Sequence, residues 1–167
     1  MKNSLTLNHG DKMLKHLIEI IKDLDLKNGE FDNYQVMSTH FGRFDERESK
    51  FVRIEMPKSE DDFDESKKYD TPIFEIEIDD NDPELCLITK YLHEEEGVLR
   101  EPLMFSNFYS QIKQLKKEYS KYEVLASAWK YIDEKHIGRF DRPIIAVLVD
   151  QEHKRVCMVE MGPEIKG

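Results

Sequence analysis

Between residues 11 and 26 (DKMLKHLIEIIKDLDL) the apolar positions Leu14, Leu17, Ile18, Ile21 and Leu24 fall three or four apart, the period of a helix with one apolar stripe. Asp11 can cap its start and Gly29 stands just past its end, so the spacing predicts an amphipathic helix. Two later stretches alternate instead. In residues 50–56 (KFVRIEM) Phe51, Arg53 and Glu55 alternate with Val52, Ile54 and Met56. In residues 71–80 (TPIFEIEIDD) Phe74, Ile76 and Ile78 alternate with Glu75, Glu77 and Asp79. Both predict strands, paired across the acidic stretch between them. Residues 143–149 (PIIAVLV) and 155–161 (RVCMVEM) predict a hairpin turned by polar residues 150–154. Asp82-Pro83, the Leu85, Ile88 and Leu92 face, and Gly97 as a stop fit a helix, although CLITKYL also suits a strand.

The longest periodic signal joins Phe105, Phe108, Ile112, Leu115, Tyr119, Tyr122, Ala126 and Trp129 in steps of three and four, with no Gly or Pro between Ser106 and Ile137. It predicts one helix of about 30 residues, about 45 Å long, or two helices broken near Ser120. Bulky Phe and Tyr in that stripe suit packing on a sheet; a helix-mediated homodimer is the sharper alternative. These elements predict a single α+β domain over residues 1–167. It would have about four mostly antiparallel strands, an N-terminal helix, a long or broken aromatic-rich helix, an acidic loop at 57–70 and a frayed C-terminus.

Charged residues make up 36% of the chain, more than in an ordinary globular protein, but the Phe, Tyr, Leu and Ile content is sufficient for a core. The longest apolar run, residues 144–149, is far short of the about 20 residues of a membrane span, and the N-terminal residues lack a secretion-signal core. A cytoplasmic protein with no membrane partner is expected. Cys86 and Cys157 belong to no CxxC or His/Cys cluster, so both are expected to be reduced core residues, with no metal and no cofactor.

Charge is distributed unevenly. Residues 55–84 contain 13 acids against three lysines, which accounts for the whole net charge of −10 and leaves the rest of the chain neutral. Such a tract repels nucleic acid and attracts a basic surface. Glu60, Asp61, Asp62, Asp64, Glu65, Glu75, Glu77, Asp79 and Asp80 are the expected partner-binding residues. Glu75, Glu77 and Asp79 would recur about every 6.6 Å along a strand, a row that could mimic a phosphate backbone, although acidic rows also serve simply as solvated faces.

A second pattern is a near-repeat, His40-Phe41-Gly42-Arg43-Phe44-Asp45 and His136-Ile137-Gly138-Arg139-Phe140-Asp141, identical at five of six positions. One reading makes both copies connectors, with Gly138 as the cap of the preceding long helix. The other sets them side by side as loops, where Arg43 and Arg139 clamp an anion and His40, Asp45, His136 and Asp141 supply proton transfer. Asp79 to Glu84 lacks the EF-hand register, and Asp141, Asp150 and Glu160 lack the Glu-x-Lys element of a metal nuclease. No phosphate loop, GxSxG or HExxH is found. The leading expectation is therefore a non-enzymatic acidic module that inhibits or regulates a partner with a basic surface, such as a nucleic-acid enzyme. Small inhibitors, immunity proteins and virus-encoded antagonists share that composition as a class. The alternatives are a small hydrolase or nucleotide- or anion-binding protein built on the repeated motif, and a helix-mediated structural protein.

Overall fold

The computed structural model describes residues 4–7, 13–23, 29–53, 68–91 and 101–160. Among them the chain forms β1 (Ser4–Leu7), α1 (Leu14–Asp23), β2 (Gln35–Asp45), β3 (Lys50–Arg53), β4 (Lys68–Pro72), β5 (Glu75–Asp79), β6 (Glu84–Lys90), α2 (Phe105–Tyr119), β7 (Glu123–Tyr131), β8 (Ile137–Asp150) and β9 (Arg155–Glu160). The strands make one mixed sheet in the order β3-β2-β9-β8-β7-β6-β5, with β1 on β8 and β4 on β2. Pairs β2·β9 and β6·β7 are parallel. A parallel pair needs a crossover, and α2 lies in the connection from β6 to β7. No helix among the described residues is long and apolar enough to cross a membrane.

This overturns the expected arrangement of about four strands around one long helix. The segment predicted as a helix from Asp82 forms β6. Leu85, Cys86, Leu87 and Ile88 are all fully buried. A strand covered on both faces shows a continuous apolar run rather than alternation, so its period is ambiguous. The long aromatic helix stops at Tyr119, and the next element is β7, with Val124, Leu125, Ala126 and Ser127 buried in succession. The carbonyls of Ser120 and Tyr122, which a continued helix would offer to residues 124 and 126, accept instead from the amides of Lys15 (3.0 Å) and Leu14 (2.9 Å). The start of α1 is thereby satisfied by the end of α2.

Other pairings also differ from expectation. β3 pairs with β2 (Phe44↔Phe51), and β5 pairs with β6 (Glu77↔Cys86), so the two alternating segments do not face each other. Lys68, Tyr69 and Asp70, expected in a mobile loop, belong to β4. The rest of that acidic stretch and the expected frayed C-terminus lie outside the described residues. The 143–149/155–161 hairpin is present as β8·β9, although β8 begins earlier, at Ile137.

Alternation divides the core into two layers. Val36, Ile144, Val147, Val149, Val156, Met158, Leu85, Leu87, Val124 and Ala126 pack with Leu14, Leu17, Ile18 and Ile21 of α1 and with Phe105, Phe108 and Ile112 of α2. The helices therefore share one face of the sheet, and the front of the aromatic stripe is buried within its own chain. Met37, Phe41, Ala146, Leu148, Cys157 and Val159 form a second cluster on the other face. A register shift between Ile144 and Ala146 lets Ile144 and Val147 point the same way, which sets the phase of β8 upstream: Arg142 and Phe140 share the helix side, Asp141 and Arg139 the other.

Candidate functional site

On the helix-bearing face, several strands change from apolar to polar where the helical layer gives out. Along β2 the inward series runs Val36, Ser38, His40. Along β9 it runs Val156, Met158, Glu160; back along β8, Ile144, Arg142, Phe140; along β7, Val124, Ala126, Ala128, Lys130; and along β6, Leu87 to Thr89. These polar ends, together with Thr71 of β4 and Lys90, line a cavity of about 240 Å³. From β7 the lining takes the small side chains of Ala126, Ser127 and Ala128, and Lys130.

One carboxylate lies in this cavity, and it is already held. Glu160 is buried; its Oε2 accepts from Ser38 Oγ at 2.8 Å and its Oε1 from Arg142 Nη1 at 2.8 Å. His40 Nδ1 stands 3.5 Å from the same Oε1, and its ring stacks on Tyr69 with centroids 5.6 Å apart. Burial pulls the His40 pKa below the ordinary histidine value; Glu160 and Asp70 oppose that pull and Arg142 adds to it. Near neutral pH the ring is accordingly uncharged. Arg142 uses one of its five donors on Glu160, and the guanidinium remains a third exposed. Lys130 Nζ lies 5.2 Å from the Phe140 ring centroid, and among the described residues neither Lys90 nor Lys130 is paired with a carboxylate. Among the described residues, three permanent cations thus face a cavity containing one anion. Such an arrangement can hold an anionic group by charge-assisted hydrogen bonds.

Comparison with known proteins returns no family model, no curated relative and no solved structure that matches this chain. The geometry alone therefore bears on function.

The repeated motif does not form a pair of loops. Its first copy lies inside β2 and its second enters β8, and β9 separates those strands in the sheet. The connector reading fails as well, since Gly138 comes after strand β7 and a turn rather than after a helix. Of the proposed proton-transfer set, His40 lines the cavity. His136 is exposed in the β7–β8 turn, with Nδ1 2.8 Å from Asp133. Arg43 and Asp45 occupy β2 at the register positions of Val52 and Lys50 in β3. Arg139 points to the opposite face, where Nε donates to Asp141 (2.9 Å), Nη1 reaches Asp79 (3.0 Å) and Nη2 reaches Glu84 (3.2 Å). Three carboxylates engage that guanidinium. Burial and the charge of Asp141 raise the Glu84 pKa. Glu84, Cys86 and Asp141 bring donor atoms within 4.8 Å of one another, but the Arg139 cation is already bound to two of them.

The acidic tract is partly tied down. Glu60, Asp61, Asp62, Asp64 and Glu65 lie outside the described residues. Glu75 and Glu77 are half-buried on β5, Asp79 is held by Arg139, and Asp80 accepts from the Tyr122 hydroxyl at 2.8 Å. Sequence reasoning missed Ser38, Lys90, Lys130, Arg142 and the role of Glu160 in the cavity. The available signal was the in-phase replacement of apolar by polar residues at strand ends, as in Val36-x-Ser38-x-His40.

The wall of the cavity at β4 is fastened from behind. Thr71 pairs with Ser38 on the cavity side, while Lys68 and Asp70 point to the other face. There Lys68 Nζ, almost wholly buried, donates to Asp70 (2.6 Å) and Asp150 (2.9 Å). Asp70 also accepts from Thr39 Oγ1 (2.7 Å) and Arg155 Nη1 (2.7 Å), and Asp150 from the amide of His153 (3.1 Å). Burial alone would lower the Lys68 pKa. Its bonds to Asp70 and Asp150, with the neighbouring Cys157 sulfur, hold it above the ordinary lysine range.

Proposed function

We propose that this protein binds a small anionic ligand, through a phosphate or carboxylate group, in the cavity of the helix-bearing face. The observation that carries the reading is the surplus of positive charge there: among the described residues Lys90, Lys130 and Arg142 face a single carboxylate, Glu160, whose oxygens are already bonded to Ser38 and Arg142. The cavity is smaller than the about 300 to 1,000 Å³ that encloses a drug-sized molecule. A headgroup fits it better than a whole organic ligand. Calorimetric titration with inorganic phosphate tests the reading, using Lys90→Gln and Lys130→Gln as variants whose exposed side chains can be lost without disturbing the fold. Each is expected to weaken binding about 5- to 10-fold, and the wild-type affinity is expected to fall with added salt. Protonating His40, which burial confines to the acid side of the ordinary histidine range, adds a charge to the cavity; sulfate, a probe whose own charge is constant there, should bind more tightly as pH falls. No binding at millimolar phosphate, or binding indifferent to both lysines, would reject the reading.

A second reading, protein recognition through the acidic face, is favoured by the position of β5 at the end of the strand order. Its Glu75, Glu77 and Asp79 share one side of the strand, and Asp80 and Asp82 come next at an exposed turn. A partner with a basic surface, blocked or regulated by this contact, is what such a face would meet. Binding of a defined basic protein such as cytochrome c, measured with Glu75→Gln/Glu77→Gln against salt, tests it. Salt-insensitive binding that survives the double substitution would remove the electrostatic argument.

A further inference from the structure

We infer that the ligand is a small aromatic phosphomonoester, with its phosphate in the cavity and its ring on a shelf beside the mouth. This rests on the anion-binding reading and extends it to the part of the ligand outside the cavity. Among the described residues, three permanent cations against one carboxylate leave a surplus of two positive charges, which a phosphomonoester dianion of about −1.5 to −2 at pH 7 matches better than a monocarboxylate does. The cavity holds a headgroup, so the remainder of the ligand must lie at its rim. The rim on the β8 side is apolar. Phe140 lines the cavity yet is 45% exposed, and Ile132, from the β7–β8 turn, is 63% exposed.

Gly138 joins these two side chains into one surface. A Cβ placed there would lie 2.6 Å from Ile132 Cδ1 and 3.9 Å from Phe140 Cε2. Ile132 therefore lies across the glycine and Phe140 Cε2 flanks the same position, so the two exposed apolar side chains both border Gly138 and make an apolar strip beside the cavity. Lys130 stands over the Phe140 ring, which puts a cation at the junction between ring and headgroup. A flat aromatic group on the strip would stack on exposed Phe140 while its phosphate reaches Arg142 and Lys90. A linear alkyl group gains no stacking there.

The experiment compares inorganic phosphate, methyl phosphate, butyl phosphate, phenyl phosphate and adenosine 5′-monophosphate by calorimetry on the full chain. Phenyl phosphate should bind at least 10-fold more tightly than methyl or butyl phosphate. Phe140→Ala should abolish that preference, read as the ratio of phenyl to methyl phosphate affinity within the same variant, so that any change the lost cavity wall causes in headgroup binding cancels. The nucleotide and the simple aryl ester distinguish the two sources of such a ring: whichever binds more tightly identifies the source. If inorganic phosphate binds but methyl, butyl and phenyl esters are equal, or Phe140→Ala leaves the preference intact, the aromatic assignment is overturned and the cavity reading stands. If none of the five binds, both are overturned.

Discussion

Replacing Lys68 by Met tests the fastening of β4, and its magnitude can be worked from the contacts. The ammonium is buried between Asp70 and Asp150, which are themselves 6% and 0% exposed. Removing one partner of a buried ion pair costs about 3 to 5 kcal/mol because it leaves uncompensated charge behind. Asp70 keeps Thr39 and Arg155, and Asp150 keeps the His153 amide, which puts the expected loss near the lower end, about 3 kcal/mol. For a chain of this size that is a fall in melting temperature of roughly 6 to 12 °C.

The pH dependence separates charge from packing. Burial tends to raise the Asp150 pKa, but hydrogen bonds from Lys68 and the His153 amide keep it below its usual 3.8. A carboxyl depressed in the folded state contributes stability above its unfolded pKa and loses it as pH falls through the folded value. The wild type should therefore lose this contribution below about pH 4. In Lys68→Met the same burial, no longer offset by the ammonium, favours protonation, so the variant recovers as pH falls from 7. The gap between the two proteins should narrow on acidification. Adding Asp150→Asn to Lys68→Met should restore at least about 1 kcal/mol, a coupling that two independent sites would not show. Urea unfolding at pH 7 and pH 5 measures all of this. A loss under 1 kcal/mol at pH 7, or a gap independent of pH, would refute the argument.

Two other parts of the fold lead to further expected outcomes. Gly29 has φ +81°, and a Cβ there would stand 3.3 Å from Asp32 Oδ2, so Gly29→Ala should destabilise by about 1 to 2 kcal/mol in urea unfolding; an unchanged midpoint would mean the turn is not held in that conformation. Burial pushes the Cys86 thiol up to about 11 and the Cys157 thiol up to about 12. Neither should react with an aromatic disulfide reagent at pH 8 until urea is added, and prompt reaction of Cys86 in the native protein would contradict the burial of β6.

Much of the local structure is legible in the residue order. The stripe of Leu14, Leu17, Ile18 and Ile21 makes α1, the apolar runs on either side of residues 150–154 make the β8·β9 hairpin, and both cysteines are buried as expected. Those signals are local: each rests on a period or turn that neighbouring residues satisfy among themselves. The reach of α2 and the identity of β6 and β7 are decided by tertiary packing. Buried on both faces, Leu85 to Ile88 and Val124 to Ser127 carry no period of two, and the steps from Tyr122 through Ala126 to Trp129 imitate a helix. The hydrogen bonds from α1 to Ser120 and Tyr122, the parallel pairing of β6 with β7 and the antiparallel pairings of β6 with β5 and of β7 with β8 choose the strand.

The same division holds for the site. Residue types, the repeated motif and the concentration of acid in one tract are determined by the sequence alone. It could not show that Arg139 would meet Asp79, Glu84 and Asp141 on one face while Arg142, three residues on, would join His40 and Glu160 on the other. Which face a residue takes depends on the phase of its strand, and in β8 that phase is set by the irregularity between Ile144 and Ala146. Which neighbours it meets depends on the order of strands far apart in the chain. Both are properties of the assembled sheet, because contacts between β2, β8 and β9 come into being only when the three strands pair.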